Sequence, residues 1–227
     1  MKKILLLLSL IVHCFVLYSQ EIDFEKPDYK KIKKNIAKEN SNLYYPKLFE
    51  RFTIGDSLFT LREKRHLYYG YSFQKDYSPY GYDKLKDSLR VFNEMEEHDS
   101  SDLSKIITIS DSILANNPFD LRTLNFQLYA LEKTKEFKKF NKRLSQIRLI
   151  FDALLSSGNG MSKKEAFYVI YTSHEYDMLN ILGFRFGGEQ SLVDHYDYLK
   201  VVENEAKIDG LYFDVSPCLK SLSNKFK

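Results

Sequence analysis

The chain has 227 residues, and its 34 basic and 31 acidic side chains leave a formal charge of only +3 at pH 7. Nucleic-acid binding needs a clustered positive footprint, so this near balance argues against a nucleic-acid partner. Seven basic residues do fall within 133–148, on a predicted helix, where a solvated helix face explains them. The length suffices for one domain with a substantial core.

The first residues have the layout of a secretory signal peptide. A lysine pair precedes an apolar run over residues 4–12, and the small Ser19 lies where cleavage would leave Gln20 first. The run is shorter than the about 20 apolar residues that a membrane-spanning helix needs. We therefore predict a signal peptide over residues 1–19 and an exported protein, periplasmic or extracellular, with no membrane span after cleavage.

Cys14 suggests an alternative, in which it becomes the lipid-modified first residue of a lipoprotein. That processing wants a small residue before the cysteine, and His13 is not small, so we disfavour it. Loss of Cys14 with the signal would leave Cys218 without a disulfide partner. No histidine near Cys218 in sequence supports it as a nucleophile, and we expect a buried thiol.

Residues 26–158 have apolar spacings of three and four, which predict a helical lobe. Its boundaries come from capping residues, prolines and glycines. In chain order these are a cap at Asp28, a start at Pro46, a capping box from Thr60 to Glu63, a loop at 76–81, a cap at Asp83, a helix over 102–116, a break at 117–120 that caps the next helix, and a helix over 137–155 with Gly158 as its C-cap.

Residues 103–155 are similar to a tetratricopeptide arrangement, in which a helix, an Asn-Pro break and an antiparallel helix pair follow one another. About one and a half repeats are visible, whereas a repeat array needs about three to bury a continuous core. We therefore expect a tetratricopeptide-like helix pair within the helical lobe and no solenoid.

After Gly160 the pattern changes to aromatic and β-branched residues separated by glycines. Four segments qualify as strands, at 166–172, 178–186, 196–202 and 210–215, with Gly187 and Gly188 as a turn. Helices first and strands last predict an α+β fold. The C-terminal lobe, over 161–220, would hold an antiparallel sheet of three to four strands within a single domain spanning 20–227.

The densest chemical feature is a tyrosine-rich run over residues 66–80. Tyrosines that follow each other on a helix cannot all face the core, so some hydroxyls should reach polar partners or solvent. One interpretation is an aromatic binding surface, and the other is a core seam held by tyrosine hydrogen bonds. The candidate binding residues are His66, Tyr69, Tyr71, Gln74, Tyr77 and Tyr80.

Two clusters in the predicted strand region suggest an alternative function. One holds His174 and Asp177, and the other holds Asp194, His195 and Asp197. If the strands paired, these groups could form a hydrolase or a metal-dependent site. Their spacing matches no ligand pattern that we know, so we name no catalytic residue, no metal ligand and no cofactor.

Several separated motifs follow one another along the chain. They are Tyr44-Tyr45-Pro46-Lys47-Leu48, His66-Leu67-Tyr68-Tyr69-Gly70 with Gln74, Tyr77-Ser78-Pro79-Tyr80, Asn117-Pro118-Phe119, Ser156-Ser157-Gly158, residues 166–171, Glu175-Tyr176 and Gly210-Leu211-Tyr212-Phe213. Together they resemble a bacterial family of exported proteins, the domain of unknown function numbered 4919. The resemblance covers roughly residues 26–215 and implies an exported single-domain protein without an established activity.

The absence of a recognisable catalytic set favours a non-catalytic binding or scaffold protein. Its partner would be an unknown protein or a component of the cell envelope, and the sequence leaves its oligomeric state open. Carbohydrate binding by aromatic stacking is a weaker alternative, because the chain has no tryptophan.

Overall fold

The computed structural model describes residues 24–225, in which nine α-helices and four β-strands form an α+β fold. The predicted signal peptide and the Cys14 alternative lie outside these residues. The helices are α1 (Tyr29–Ile36), α2 (Tyr45–Ile54), α3 (Leu61–Gly70), α4 (Lys84–Asn93), α5 (Ser100–Asn116), α6 (Leu121–Lys133), α7 (Phe137–Leu155), α8 (Ser173–Ile181) and α9 (Ser216–Lys225). The strands are β1 (Phe167–Tyr168), β2 (Phe186–Val193), β3 (Tyr196–Val201) and β4 (Gly210–Asp214).

The helix starts in the N-terminal half follow the predicted caps. The carboxylates of Asp28, Asp83 and Asp120 each accept a hydrogen bond from a backbone N–H in the first turn of their helix. Thr60 and Glu63 form the predicted capping box at the start of α3. These bonds satisfy amide groups that have no partner inside the helix. Helix α5, the Asn-Pro break and the helices α6 and α7, which pack against each other, follow in the order predicted for the tetratricopeptide-like segment.

Gly158 does not act as the predicted C-cap of α7. That helix ends at Leu155, its C-cap Ser156 has a right-handed conformation, and Gly158 does not have a positive φ. A Cβ atom at Gly158 would lie 2.3 Å from the carbonyl oxygens of Glu165 and Ala166. Glycine is needed there because two backbone segments approach too closely for any side chain.

The sheet has the strand order β1-β4-β3-β2. The β2–β3 and β3–β4 pairs are antiparallel, as predicted, but β1 runs parallel to β4, so the sheet is mixed. Of the predicted strand 166–172, only the two residues of β1 join the sheet. The predicted lobe 161–220 therefore combines this sheet with two helices, α8 and the start of α9.

The predicted strand over 178–186 is wrong, because residues 178–181 belong to helix α8 and only residue 186 lies in a strand. The buried residues of this helix are His174, Glu175, Met178 and Leu179, which recur with the spacing of one helix face. Gly187 and Gly188 lie inside β2, where the pairing with β3 shifts register. The hairpin turn is formed instead by Asp194 and His195, with Asp194 at a φ of 61°.

Two apolar clusters hold these elements together. The larger joins α1, α2, α3 and α7 to the sheet and includes the buried Leu48, Tyr68, Phe119 and Phe213. The smaller lies among α4, α5 and α6. Cys218 is a buried free thiol, as expected. Within residues 24–225, we find no helix that combines the length and hydropathy needed to cross a bilayer.

Candidate functional site

The first half of the tyrosine-rich run is part of the core. Tyr69 is fully buried and donates to the carbonyl oxygen of Ala153 at 3.0 Å, and Tyr71 is 3% exposed. His66 is also buried, with Nδ1 2.7 Å from the carbonyl oxygen of Arg62 and Nε2 3.0 Å from the Asn35 side-chain amide. Burial lowers the pKa of His66 below its usual value. These three residues hold α3 in place and offer no open surface.

The second half of the run is partly accessible and lies in the loop after a 3₁₀ turn, Tyr71–Phe73, that follows α3. Gln74 donates its amide to the carbonyl oxygen of Gly70 at 3.1 Å, which leaves its own side-chain oxygen as an acceptor. Tyr77 is half-buried, and its hydroxyl donates to the carbonyl oxygen of Ile170 at 2.6 Å. Tyr80 is 42% exposed. The six predicted residues are thus divided between core and surface.

Gln74 and Tyr77 line a cavity of about 580 Å³ between α1, the 3₁₀ turn and α9. Ligand cavities commonly have volumes of about 300–1,000 Å³. Tyr29 and Phe73 complete its aromatic wall, with their ring centroids 6.3 Å apart in a T-shaped contact. Gln74 and Tyr77 are among the residues predicted from the sequence, and the other two are not, because Tyr29 shares the apolar face of α1 and Phe73 is one aromatic residue among many.

The polar side of this cavity carries positive charge. Lys33 and Lys220 line it together with three serines and Asn224, and no aspartate or glutamate is among the described lining residues. The ammonium group of Lys33 lies 5.6 Å from the ring centroid of Phe73, a cation–π contact. Lys220 has no ion pair within the described part of the chain. The hydroxyl of Tyr29 is buried without a hydrogen-bond partner among the described residues.

His174, from the first predicted cluster, is enclosed in the core. Its Nε2 lies 2.9 Å from the carbonyl oxygen of Phe119, so this nitrogen carries the proton and donates. The Tyr68 hydroxyl then donates to Nδ1 at 2.7 Å. Burial lowers the pKa of His174 to about 4, which keeps the ring neutral at physiological pH. Both nitrogens are occupied by structural hydrogen bonds.

The other members of the two clusters have separate surroundings. Asp177 accepts from Arg122 at 3.1 Å, and burial raises its pKa to about 6. Asp194 and His195 form the hairpin turn, where Nε2 of His195 lies 3.5 Å from a carboxylate oxygen of Asp214. His174 and His195 therefore share no partner among residues 24–225. Among the residues described, no group of three or more His, Cys, Asp or Glu side chains is placed to hold a metal ion.

The two clusters meet through Glu175, which lies between His174 and Asp177 in the first of them. Both of its carboxyl oxygens are buried without a hydrogen-bond partner among the described residues, as is Oδ1 of Asp197 on β3. Burial, followed by the negative charge of Asp197, raises the pKa of Glu175 to about 9. The other oxygen of Asp197 accepts from the Gln190 amide at 2.5 Å. A Glu175 carboxyl that keeps its proton next to the Asp197 side chain is the arrangement that best fits these surroundings.

Tyr80 and Cys218 lie close enough to the Glu175–Asp197 pair for these carboxyl groups to affect their pKa values. Burial first, and then the charges of Cys218, Glu175 and Asp197, raise the pKa of Tyr80. Burial raises the pKa of the Cys218 thiol to about 12, so the thiol is neutral and a poor nucleophile at physiological pH. In the sequence, only the apolar Met178 and Leu179, three and four positions after Glu175, hint at its burial.

A family model for a domain of unknown function, DUF4919, matches residues 30–224. Neither a curated protein nor a solved structure matches the chain significantly. The family match spans almost all of the described helices and strands, including most of the cavity lining and the Glu175–Asp197 pair. The chain therefore belongs to the DUF4919 family.

Proposed function

We propose that this protein is a non-catalytic binding protein and that the cavity between α1, the 3₁₀ turn and α9 holds a small organic anion. The observation that carries the proposal is the pairing of an aromatic wall with Lys33 and Lys220 in a lining without carboxylates among the described residues. A flat apolar group would pack on Phe73 and Tyr77, and a carboxylate, sulfonate or phosphate would face the lysines.

The polar groups of the cavity fit the role of orienting such a ligand. The side-chain oxygen of Gln74 can accept a hydrogen bond, and the serine hydroxyls and Asn224 can donate. The buried Tyr29 hydroxyl, which lacks a partner among the described residues, is a further donor next to the aromatic wall. A buried polar group without a partner costs about 1–3 kcal/mol, which a ligand acceptor that reached it would recover.

Binding of 1-anilinonaphthalene-8-sulfonate, an aromatic sulfonate whose fluorescence rises in apolar surroundings, tests the proposal. We expect saturable binding that weakens about tenfold or more in Lys33→Gln/Lys220→Gln, because a charge-assisted hydrogen bond contributes about 1.5–3 kcal/mol. The matched control is Lys34→Gln/Lys47→Gln, which removes two exposed lysines that do not line the cavity. Equal affinities of the two double variants would exclude the cavity as the site.

We further propose that the protein acts outside the cytoplasm, because of the leader-like residues 1–19. N-terminal sequencing of protein recovered from expressing cells should give Gln20 as the first residue. A start at a lipid-modified Cys14 would instead make the protein a lipoprotein, and an unprocessed Met1 would contradict export.

A further inference from the structure

A second cavity, of about 500 Å³, lies between the loop after α2 and helix α7. Lys138, Lys142 and Ser145 line it from α7, at spacings that place them on one face of that helix. Arg148 lines it beside this face, and the segment from Ile54 to Phe59 closes the opposite side. None of its described lining residues also lines the proposed ligand site.

The cavity carries an excess of positive charge. Lys138, Lys142 and Arg148 have no ion pair in the part of the chain that the structure describes. Both carboxylates in the lining are already neutralised. Asp56 pairs with Arg51 at 2.7 Å, and Asp152 pairs with Lys64 at 2.5 Å.

Lys142 is half-buried, which makes its lack of a counter-charge costly. Gly55, at a φ of 81°, brings the loop so close that a Cβ there would lie 2.8 Å from Cα of Lys142. Burial, and then the neighbouring Arg143, lower the pKa of Lys142. An anion in the cavity would supply the missing counter-charge.

Large apolar side chains are exposed around the same cavity. Ile54, which lines it, is 69% exposed, and Leu58, in the closing loop, is 82% exposed. Phe137 is 60% exposed and lies one helical turn before Asn141, which also lines the cavity. A single exposed apolar residue needs no explanation, but three that surround a group of unpaired cations mark an interaction surface.

We propose that this face docks on the surface of an anionic phospholipid bilayer. The headgroup phosphates would face Lys138, Lys142 and Arg148, while Leu58 and Ile54 enter the boundary between headgroups and acyl chains. Cations combined with exposed apolar side chains are the composition of segments that lie at a membrane interface. The charge of the headgroups complements that of the cavity, and a bilayer also covers the apolar rim, which a soluble anion does not.

The chain has no tryptophan, so a single introduced tryptophan reports on its own position. We expect the emission of Leu58→Trp in the full chain to shift to shorter wavelength with phosphatidylglycerol vesicles and to stay unchanged with phosphatidylcholine vesicles. Added salt should reverse the shift, because it screens the attraction between cations and headgroups. The matched reporter is Leu192→Trp at the exposed edge strand, whose emission should not change.

Charge variants in the Leu58→Trp background test which cations are responsible. Lys142→Gln should weaken vesicle binding about fivefold, since each cation near an anionic surface contributes about 1 kcal/mol. Lys139→Gln, on the same helix and paired with Glu136 at 2.6 Å, should have less effect. Equal shifts from both tryptophan reporters, or equal effects of both lysine variants, would overturn the proposal. It would also be overturned if the emission of Leu58→Trp responded to pyrophosphate but not to vesicles, which would assign the cavity to a soluble oxyanion.

Discussion

Replacement of Glu175 by glutamine is expected to stabilise the protein at pH 7.5, although it removes a fully buried acidic group. The folded protein raises the pKa of this carboxyl from 4.5 to about 9. It must therefore retain a proton that the unfolded chain releases. A glutamine amide carries no charge, and it can donate a hydrogen bond to Oδ1 of Asp197, which lacks a partner among the described residues.

The sign of the pH dependence follows from proton linkage. Below the unfolded pKa of 4.5, Glu175 is protonated in both states, and its contribution to stability is fully present. Between 4.5 and about 9 only the unfolded chain releases the proton, so the free energy of unfolding falls as pH rises. The free energy of unfolding falls by about 1.36 kcal/mol for each pH unit, so between pH 4.5 and pH 7.5 it falls by at most about 4 kcal/mol.

Urea unfolding of the wild type and Glu175→Gln between pH 5 and pH 9 measures this difference. We expect the variant to be more stable by on the order of 2 kcal/mol at pH 7.5, with the gap narrowing towards pH 5. Glu203→Gln, which changes an exposed glutamate, should leave the pH dependence as it is. Parallel curves for the wild type and Glu175→Gln would show that Glu175 is ionised in the folded protein.

The helices of the N-terminal half could be predicted because their signals are local. Asp28, Asp83 and Asp120 bond to amides two or three residues ahead, so each cap is readable from its own segment. The same holds for the capping box at Thr60. No long-range contact is needed to recognise such a helix start.

The C-terminal half was harder to predict because its determinants lie far apart in the chain. Short apolar segments are compatible with a helix or a strand, and α8 is a helix whose buried face includes two ionisable residues. Gly187 and Gly188 look like a turn, yet they lie in a register shift of β2. The parallel β1–β4 pair depends on residues 167 and 213 meeting, which no local pattern shows.

The candidate site was predictable only in part for the same reason. Gln74 and Tyr77 stand in a conspicuous tyrosine-rich run, whereas Lys33 and Lys220 are ordinary lysines in sequence and join them only in the folded chain. Tyr69 in the same run faces the core. Composition thus located the segment, and tertiary packing decided which of its side chains are accessible.

Phe119→Ala is expected to be the most destabilising substitution that we predict. Phe119 is fully buried, and its ring lies 4.8 Å from Tyr71, 5.0 Å from Phe52 and 6.0 Å from Tyr68, measured between centroids. It therefore connects α2 and α3 to the break between α5 and α6. Truncation removes these contacts and leaves a cavity that the surrounding rings cannot fill without leaving their rotamers, at a cost of about 3–5 kcal/mol.

Thermal and urea unfolding of Phe119→Ala should show this loss as a fall in Tm of about 10 °C for a chain of this size. Phe137→Ala is the matched control, because Phe137 is 60% exposed at the start of α7 and should change stability by less than about 0.5 kcal/mol. The carbonyl oxygen of residue 119 still accepts from His174 in the variant, so the loss measures the ring alone. A small effect of Phe119→Ala would mean that α2 and α3 pack on the α5–α6 hairpin without the help of this ring. Other contacts would then have to connect these helices.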